Sequence, residues 1–339
     1  MKLLICTQAI DPQDPELGFF PAWVEGLAHH AEQVTVFCLR ANNYHFPPHV
    51  QVVVLGGNRI SKAIALVRHS IRLRSEYDTV LVHMNQEYIL VAGSLWKRMG
   101  KRVYLWRNHY AGTTATDIAA RRSNKVFYTS KHSYTAKYPN AVKMPVGVDL
   151  ELFTRLPEVP RDPRGILFLG RLAPSKRPHL LLQALELLMR KGVTFSASFY
   201  GPSGSDLSYV EKLKDLVHEL KLSESVQFMP PVAHAETPQI FNRFGIFVNC
   251  SPSGMYDKTL FEAASSECMV VAASKDFAEL VPPRFVFEDN NPEDLARKLE
   301  SLLSLSVLEV QGAGAQMHNI AKTMSLPNLM EALVREMRV

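Results

Sequence analysis

Residues 165–178 read GILFLGRLAPSKRP. The apolar run 165–170 has the character of a buried strand and stops at Gly170. From Pro178 onward, Leu181, Ala184, Leu185 and Leu188 recur on one face of a helix, and Gly192 follows where a helix would end. Proline fits the first helical position. The stretch is therefore a strand-to-helix corner, and its loop carries Arg171, Lys176 and Arg177. A helix start bears partial positive charge and favours acids, so three cations there are unexpected. A bound anion would account for them, because backbone N–H groups, the helix dipole and the side chains would converge on one phosphate-like group. The plainer alternative is a solvated basic loop.

The same strand–loop–helix unit recurs along the chain. Strand-like runs fall at 2–8, 33–39, 50–56, 79–84, 102–108 and 125–130, with helical spacing at 59–75 and 87–99. A second series falls at 165–170, 194–201, 226–230, 245–250, 269–274 and 284–289. Short apolar runs bounded by turn residues and separated by helices indicate parallel strands covered on both faces. The expected fold class is α/β, with two doubly wound Rossmann-like domains facing across a cleft. ELFTRLPEVPRDPR, 151–164, has three prolines and many charges and reads as the linker. The expected domains are 1–153 and 160–323, with a last helix at 324–339.

The totals agree. A chain of 339 residues suits two domains, and 47% hydrophobic with 21% charged residues is the profile of a folded, water-exposed protein. The net charge of +5 is too small to argue for nucleic acid. Cys6, Cys38, Cys250 and Cys268 stand singly in apolar runs, which points to buried thiols in a reducing, cytoplasmic setting. No apolar stretch reaches membrane-spanning length. HExxH, GxGxxG and the Walker P-loop are missing, so neither a metal site nor a dehydrogenase or nucleotide hydrolase is indicated.

A second corner follows the run 245–250: SPSGMYDK, 251–258, then TLFEAASSE. Glu262 is expected in the first turn of that helix and has two readings. Thr259 and Glu262 match a capping box, in which the acid only satisfies backbone donors. Alternatively, the carboxylate grips the paired hydroxyls of a ribose. Asp257 is likewise open, as a helix-capping or turn aspartate or as a carboxylate of the site.

In their order, MPVGVDLELF (144–153), GRLAPSKR (170–177) and SPSGMYDKTLFEA (251–263) resemble glycosyltransferase family 4. That resemblance implies the GT-B fold and retaining transfer from a nucleotide-diphosphate sugar, UDP- or GDP-linked, with no obligatory cofactor. It implies that Arg171 and Lys176 neutralise the donor diphosphate beside Gly170, and that Glu262 holds the ribose. Tyr200 and Gly201 would lie near the nucleotide, and Pro231 and Val232 in the turn beside the base. Gly254, Met255, Tyr256, Asp257, Lys258 and Thr259 would line the donor site. Gly18 matches a loop glycine that approaches the phosphates, and His109 a histidine at the donor sugar. The last helix would cross back to the first domain. Gly254 departs from the pattern, since an acid is usual there, and Asp257 is the carboxylate nearby.

The implied function is sugar transfer to a hydroxyl of a glycan, a lipid-linked molecule or a small molecule. A nucleotide-sugar epimerase or phosphorylase and a catalytically silent nucleotide-sugar-binding subunit are the competing readings. The segment 58–78 is basic and amphipathic; it is either an ordinary surface helix or a dock on the anionic inner face of a membrane.

Overall fold

The computed structural model describes residues 1–14, 16–204, 206–254 and 257–338. It divides into two compact units. One is Met1–Gly147 together with the last helix, Leu326–Arg338; the other is Val148–Ser325.

The first unit runs β1 (Lys2–Cys6), β2 (Ala9–Ile10), α1 (Phe20–Ala28), β3 (Gln33–Cys38), β4 (Arg40–Ala41), β5 (Val50–Val54), α2 (Arg59–Arg72), β6 (Thr79–His83), α3 (Glu87–Arg98), β7 (Arg102–Trp106), α4 (Thr114–Arg122), β8 (Lys125–Tyr128) and β9 (Ala141–Lys143). Seven strands form one parallel sheet in the order β5-β3-β1-β6-β7-β8-β9. Successive side chains of a strand point to opposite faces. Leu3 and Ile5 of β1 therefore join one apolar layer under α1 and the last helix, with Trp23, Leu27, Leu329 and Leu333. Leu4 and Cys6 join the other, with Leu66, Tyr88 and Trp96 from α2 and α3. Burial on both faces explains why the central strands read as continuous apolar runs. The last helix is fastened by Tyr104, whose hydroxyl donates to the Met337 carbonyl at 3.3 Å, and by Lys125, whose Nζ lies 3.0 Å from the Glu336 carboxylate.

The second unit runs β10 (Asp162–Leu169), α5 (Pro178–Arg190), β11 (Ser196–Tyr200), α6 (Leu207–Glu219), β12 (Val226–Met229), α7 (Thr237–Arg243), β13 (Phe244–Asn249), α8 (Lys258–Ser265), β14 (Met269–Ala272), α9 (Lys275–Ala278), α10 (Pro292–Leu303) and α11 (Val307–Lys322). Its parallel sheet has the order β12-β11-β10-β13-β14. The chain winds outward from β10 in one direction and resumes at β13 in the other. The loops after β10 and β13 thus flank a topological switch point, where doubly wound sheets bind ligands.

Some expectations need correction. The run 284–289 is not a strand. It forms a short 3-10 turn, Pro283–Phe285, and one bridge from Val286 to Ala272. Pro282 and Pro283 supply no ladder donors, and the run is apolar because Phe285 and Phe287 are buried. The helix expected over 58–78 ends at Arg72. Beyond it the chain turns back so that the buried Tyr77 donates to the Ser70 carbonyl at 2.8 Å and Asp78 accepts from the Lys2 amide at 2.9 Å. The 151–164 segment, expected as the linker, lies within the second unit. Phe153 is buried edge-on to Phe241, Arg155 donates to Asn242 at 2.8 Å, and β10 has already begun at Asp162.

Candidate functional site

The loop after β10 leaves the sheet at Gly170, makes one 3-10 turn over Pro174–Lys176, and enters α5 through Arg177, with Pro178 at the first helical position. Two of its three cations meet acids from neighbouring loops. Lys176 Nζ lies 2.5 Å from Asp257 Oδ1, and Arg177 lies 2.5 Å from Asp289 Oδ1. The unfavourable placement at a helix start is therefore offset within the chain, which the loop by itself did not reveal. Arg171 is exposed on the same loop.

Asp257 is enclosed. Its Oδ2 accepts from Asn249 Nδ2 at 3.0 Å and from Ser251 Oγ at 2.6 Å. Burial pushes its carboxyl up, but the Lys176 charge and the bonds from Asn249, Lys176 and Ser251 outweigh that and hold it below the usual carboxylate range. Asp257 occupies the N-cap position of α8, yet its side chain caps nothing. Asp257 thus stands where a cap would be, but its carboxylate holds Lys176 rather than the helix amides.

The loops after β10 and β11 are pressed together. The Gly170 amide donates to the Tyr200 carbonyl at 3.0 Å, and the Leu172 amide to the Pro202 carbonyl at 2.9 Å. A Cβ on Gly201, whose φ is +148°, would sit 2.0 Å from the Gly170 carbonyl oxygen, so no other residue fits. Tyr200 is buried at the end of β11.

Because α8 begins at Lys258, Glu262 lies in its second turn and Thr259 is not its cap. This excludes the capping box. Glu262 is only 2% exposed, and its Oε1 lies 3.1 Å from Nε2 of His234. His234 comes from the turn just beyond Pro231 and Val232, and its ring packs edge-on against Phe153 with centroids 5.3 Å apart. The turn expected beside a base is thus joined to the acid expected on a ribose. Lys258, next to Asp257, is drawn down to about 8 by burial, partly opposed by the charges of Glu262 and Asp149. Gly254 is buried with φ +89°, a conformation that disfavours the acid usual in the resemblance. Met255 and Tyr256 lie outside the described residues.

Gly18 and His109 belong to the first unit. Gly18 donates its amide to the Asp14 carbonyl at 2.9 Å. The Asp14 carboxylate accepts from the amides of Glu16 and Leu17 and pairs with Arg40. His109 follows β7, accepts the Ala111 amide at Nδ1 (2.9 Å) and stacks on Tyr110.

Sequence reasoning did not select His234, Asn249, Ser251, Asp149 or Asp289. Asn249 and Ser251 alternate about Cys250 at the end of β13, a pattern that aims both to one side and was readable. For His234 and Asp289 there was no local signal. Among the described residues, no three His, Cys, Asp or Glu side chains converge as a metal site, and no helix is long and apolar enough to cross a membrane.

Residues 154–322, nearly the whole second unit, match the model of the family described as glycosyl transferases group 1. This stretch is a glycosyltransferase group 1 domain. The curated relatives of the chain include the D-inositol 3-phosphate glycosyltransferases of Kineococcus radiotolerans, 32% identical over 155 residues, and of Streptomyces griseus, 29% identical over 170. The matches cover 42% and 47% of this chain, which spans 36% of the length of either relative. Among solved structures, Anabaena Alr3699/HepE in complex with UDP and glucose has a TM-score of 0.79 at 18% identity, covering 99% of this chain and 98% of that one. Sucrose-phosphate synthase from Thermosynechococcus elongatus has a TM-score of 0.79 at 15% identity, covering 100% and 98%. The fold of the glycosyltransferase domain and its companion is thus that of the GT-B enzymes, two Rossmann-like domains in one chain.

Proposed function

We propose that the chain transfers a sugar from a nucleotide-diphosphate sugar to an acceptor hydroxyl with retention of anomeric configuration. The observation that carries this reading is the ammonium of Lys176, fixed by the half-buried Asp257 at the switch point on the loop that also bears Arg171. An ammonium has three donors. With one held by Asp257, the others serve the donor diphosphate, and Arg171 adds a planar fork suited to phosphate oxygens. Both cations act most strongly as the glycosidic bond breaks and negative charge gathers on the leaving diphosphate. That oxygen accepts the proton of the acceptor hydroxyl, so no separate protein base is required. Glu262, oriented by His234, receives the ribose hydroxyls, and Pro231 and Val232 face the base.

UDP-glucose is the first donor to test, because the Anabaena neighbour holds UDP and glucose. Inositol phosphate is the first acceptor, because it figures in the names of the curated relatives; glycan and lipid-linked acceptors follow. Calorimetry with UDP, GDP and ADP identifies the base, and NMR of the product gives the anomer. The expected products are nucleoside diphosphate and a glycosylated acceptor with the donor's configuration. An isomerised donor or a sugar phosphate would overturn transfer in favour of epimerase or phosphorylase chemistry. Gly254 supports a second reading, a subunit that binds a nucleotide sugar without transferring it. Donor binding without turnover across all acceptors would establish that reading instead.

A further inference from the structure

Helix α2 turns apolar side chains away from the protein. Its core-facing side is ordinary: Leu66 and Ser70 are buried, and Ala65 and Leu73 pack on the same layer. Ile60, Ile64, Val67 and Ile71 recur at steps of four, three and four, which aligns them as a second stripe on the outer side. Ile60 is 73% exposed, Ile64 63% and Ile71 44%. A surface helix normally carries charged residues there. The stripe continues across a shallow groove, in which Ala63, Val67 and Ile71 face Val91 of α3, itself 43% exposed.

The rim decides the occupant. Arg68 and Arg72 border the groove, Arg59 and Lys62 lie on the same helix, and α2 contains no acid. Cations beside an outward apolar stripe complement a surface that is apolar below and anionic at its boundary. We infer that α2 and the adjoining edge of α3 form a docking surface for an anionic lipid leaflet. The isoleucines enter the acyl boundary and the arginines pair with lipid phosphates. This surface is independent of the switch-point residues and of the reaction assigned to them.

The test is sedimentation of the full chain with vesicles of phosphatidylcholine alone and with phosphatidylglycerol added. Binding is expected only to the anionic vesicles, and it should vanish at about 0.5 M salt, where screening shortens to a few ångströms. Arg68→Glu with Arg72→Glu should weaken it at least ~25-fold, about fivefold per cation. Ile60→Ser and Ile64→Ser should each weaken it about tenfold. All four positions face outward, so the melting temperature should stay within about 2 °C. No binding to anionic vesicles at low salt overturns the proposal, as does binding that ignores lipid charge or the arginine reversals. If the chain instead dimerises in ultracentrifugation and Ile64→Ser yields monomer without any vesicle binding, the stripe belongs to a second copy and the proposal fails.

Discussion

At the switch point of the first sheet, between β1 and β6, the loops are lined with rings. His83, at the end of β6 and 3% exposed, lies 4.3 Å between centroids from Phe20 and 5.6 Å from Trp23, and Trp23 meets Trp106 edge-on at 4.7 Å. Its Nδ1 is 3.4 Å from the Thr7 hydroxyl. At the switch point of the second sheet, between β10 and β13, the same topology carries Lys176 on Asp257, Arg177 on Asp289 and, nearby, His234 on Glu262. Both sheets run 3-2-1-4-5 through the switch point, so topology chooses the place. Side chains choose the ligand: charge held in fixed geometry suits a diphosphate, whereas packed aromatic rings do not.

The sharpest way to break this contrast is Lys176→Ala. It should lower turnover a hundredfold or more, since a cation at a developing anion is lost. It should also cost on the order of 2 kcal/mol in urea unfolding, because the half-buried Asp257 would keep its charge with only Asn249 and Ser251 to hold it. Replacing both, Lys176→Met with Asp257→Leu, should recover most of that stability and none of the turnover. If turnover survives Lys176→Ala, the second switch point is no more a diphosphate site than the first.

Backbone comes next. Gly201→Ala drives a methyl into the Gly170 carbonyl and should cost roughly 2–3 kcal/mol in thermal unfolding. Gly56→Ala in the first unit, where a Cβ meets nothing within 4 Å, should stay within about 0.5 kcal/mol.

A finer probe separates Glu262 from its support. His234→Ala should weaken nucleoside diphosphate binding about tenfold by calorimetry, the effect of removing one hydrogen bond from a charged group. It should leave a 2′,3′-dideoxy analogue nearly unaffected, since that analogue offers Glu262 nothing to hold. Equal losses for both nucleotides would detach His234 from the ribose.

The pH dependence tests Lys258. Burial favours its neutral form, so between about 8 and the ordinary lysine value the unfolded chain binds more protons than the folded one. Stability should therefore rise with pH across that window, and Lys258→Met should flatten the rise in a series of urea titrations.

The smallest effect belongs to the first switch point. His83→Phe should lose about 1 kcal/mol with the Thr7 contact while nucleoside diphosphate affinity stays within about twofold. A larger loss of affinity would mean that the ring-lined site also serves the nucleotide.

Much of this was legible in the order of residues. The runs at 79–84 and 245–250 are apolar throughout because β6 and β13 are covered on both faces, and Pro178 and Gly192 bracket α5 as expected. The run 284–289 misled because hydrophobicity reports burial, and two prolines allowed burial without pairing. Arg171, Lys176 and Glu262 stood out because they sit at strand-to-helix corners, where sequence position translates into place. Their partners did not stand out: 81 residues separate Lys176 from Asp257, and 28 separate His234 from Glu262.

By itself the sequence determined the periodicities and the corners, and through them two wound sheets and the loops at their carboxyl ends, because these follow from interactions between near neighbours along the chain. Only the tertiary structure decided that Asp257 fixes Lys176, that Glu262 faces His234 rather than its own helix start, and that Ile60 and Ile64 look outward. Those outcomes depend on which distant loop or face packs alongside, and burial and electrostatics act through space without regard to separation along the chain.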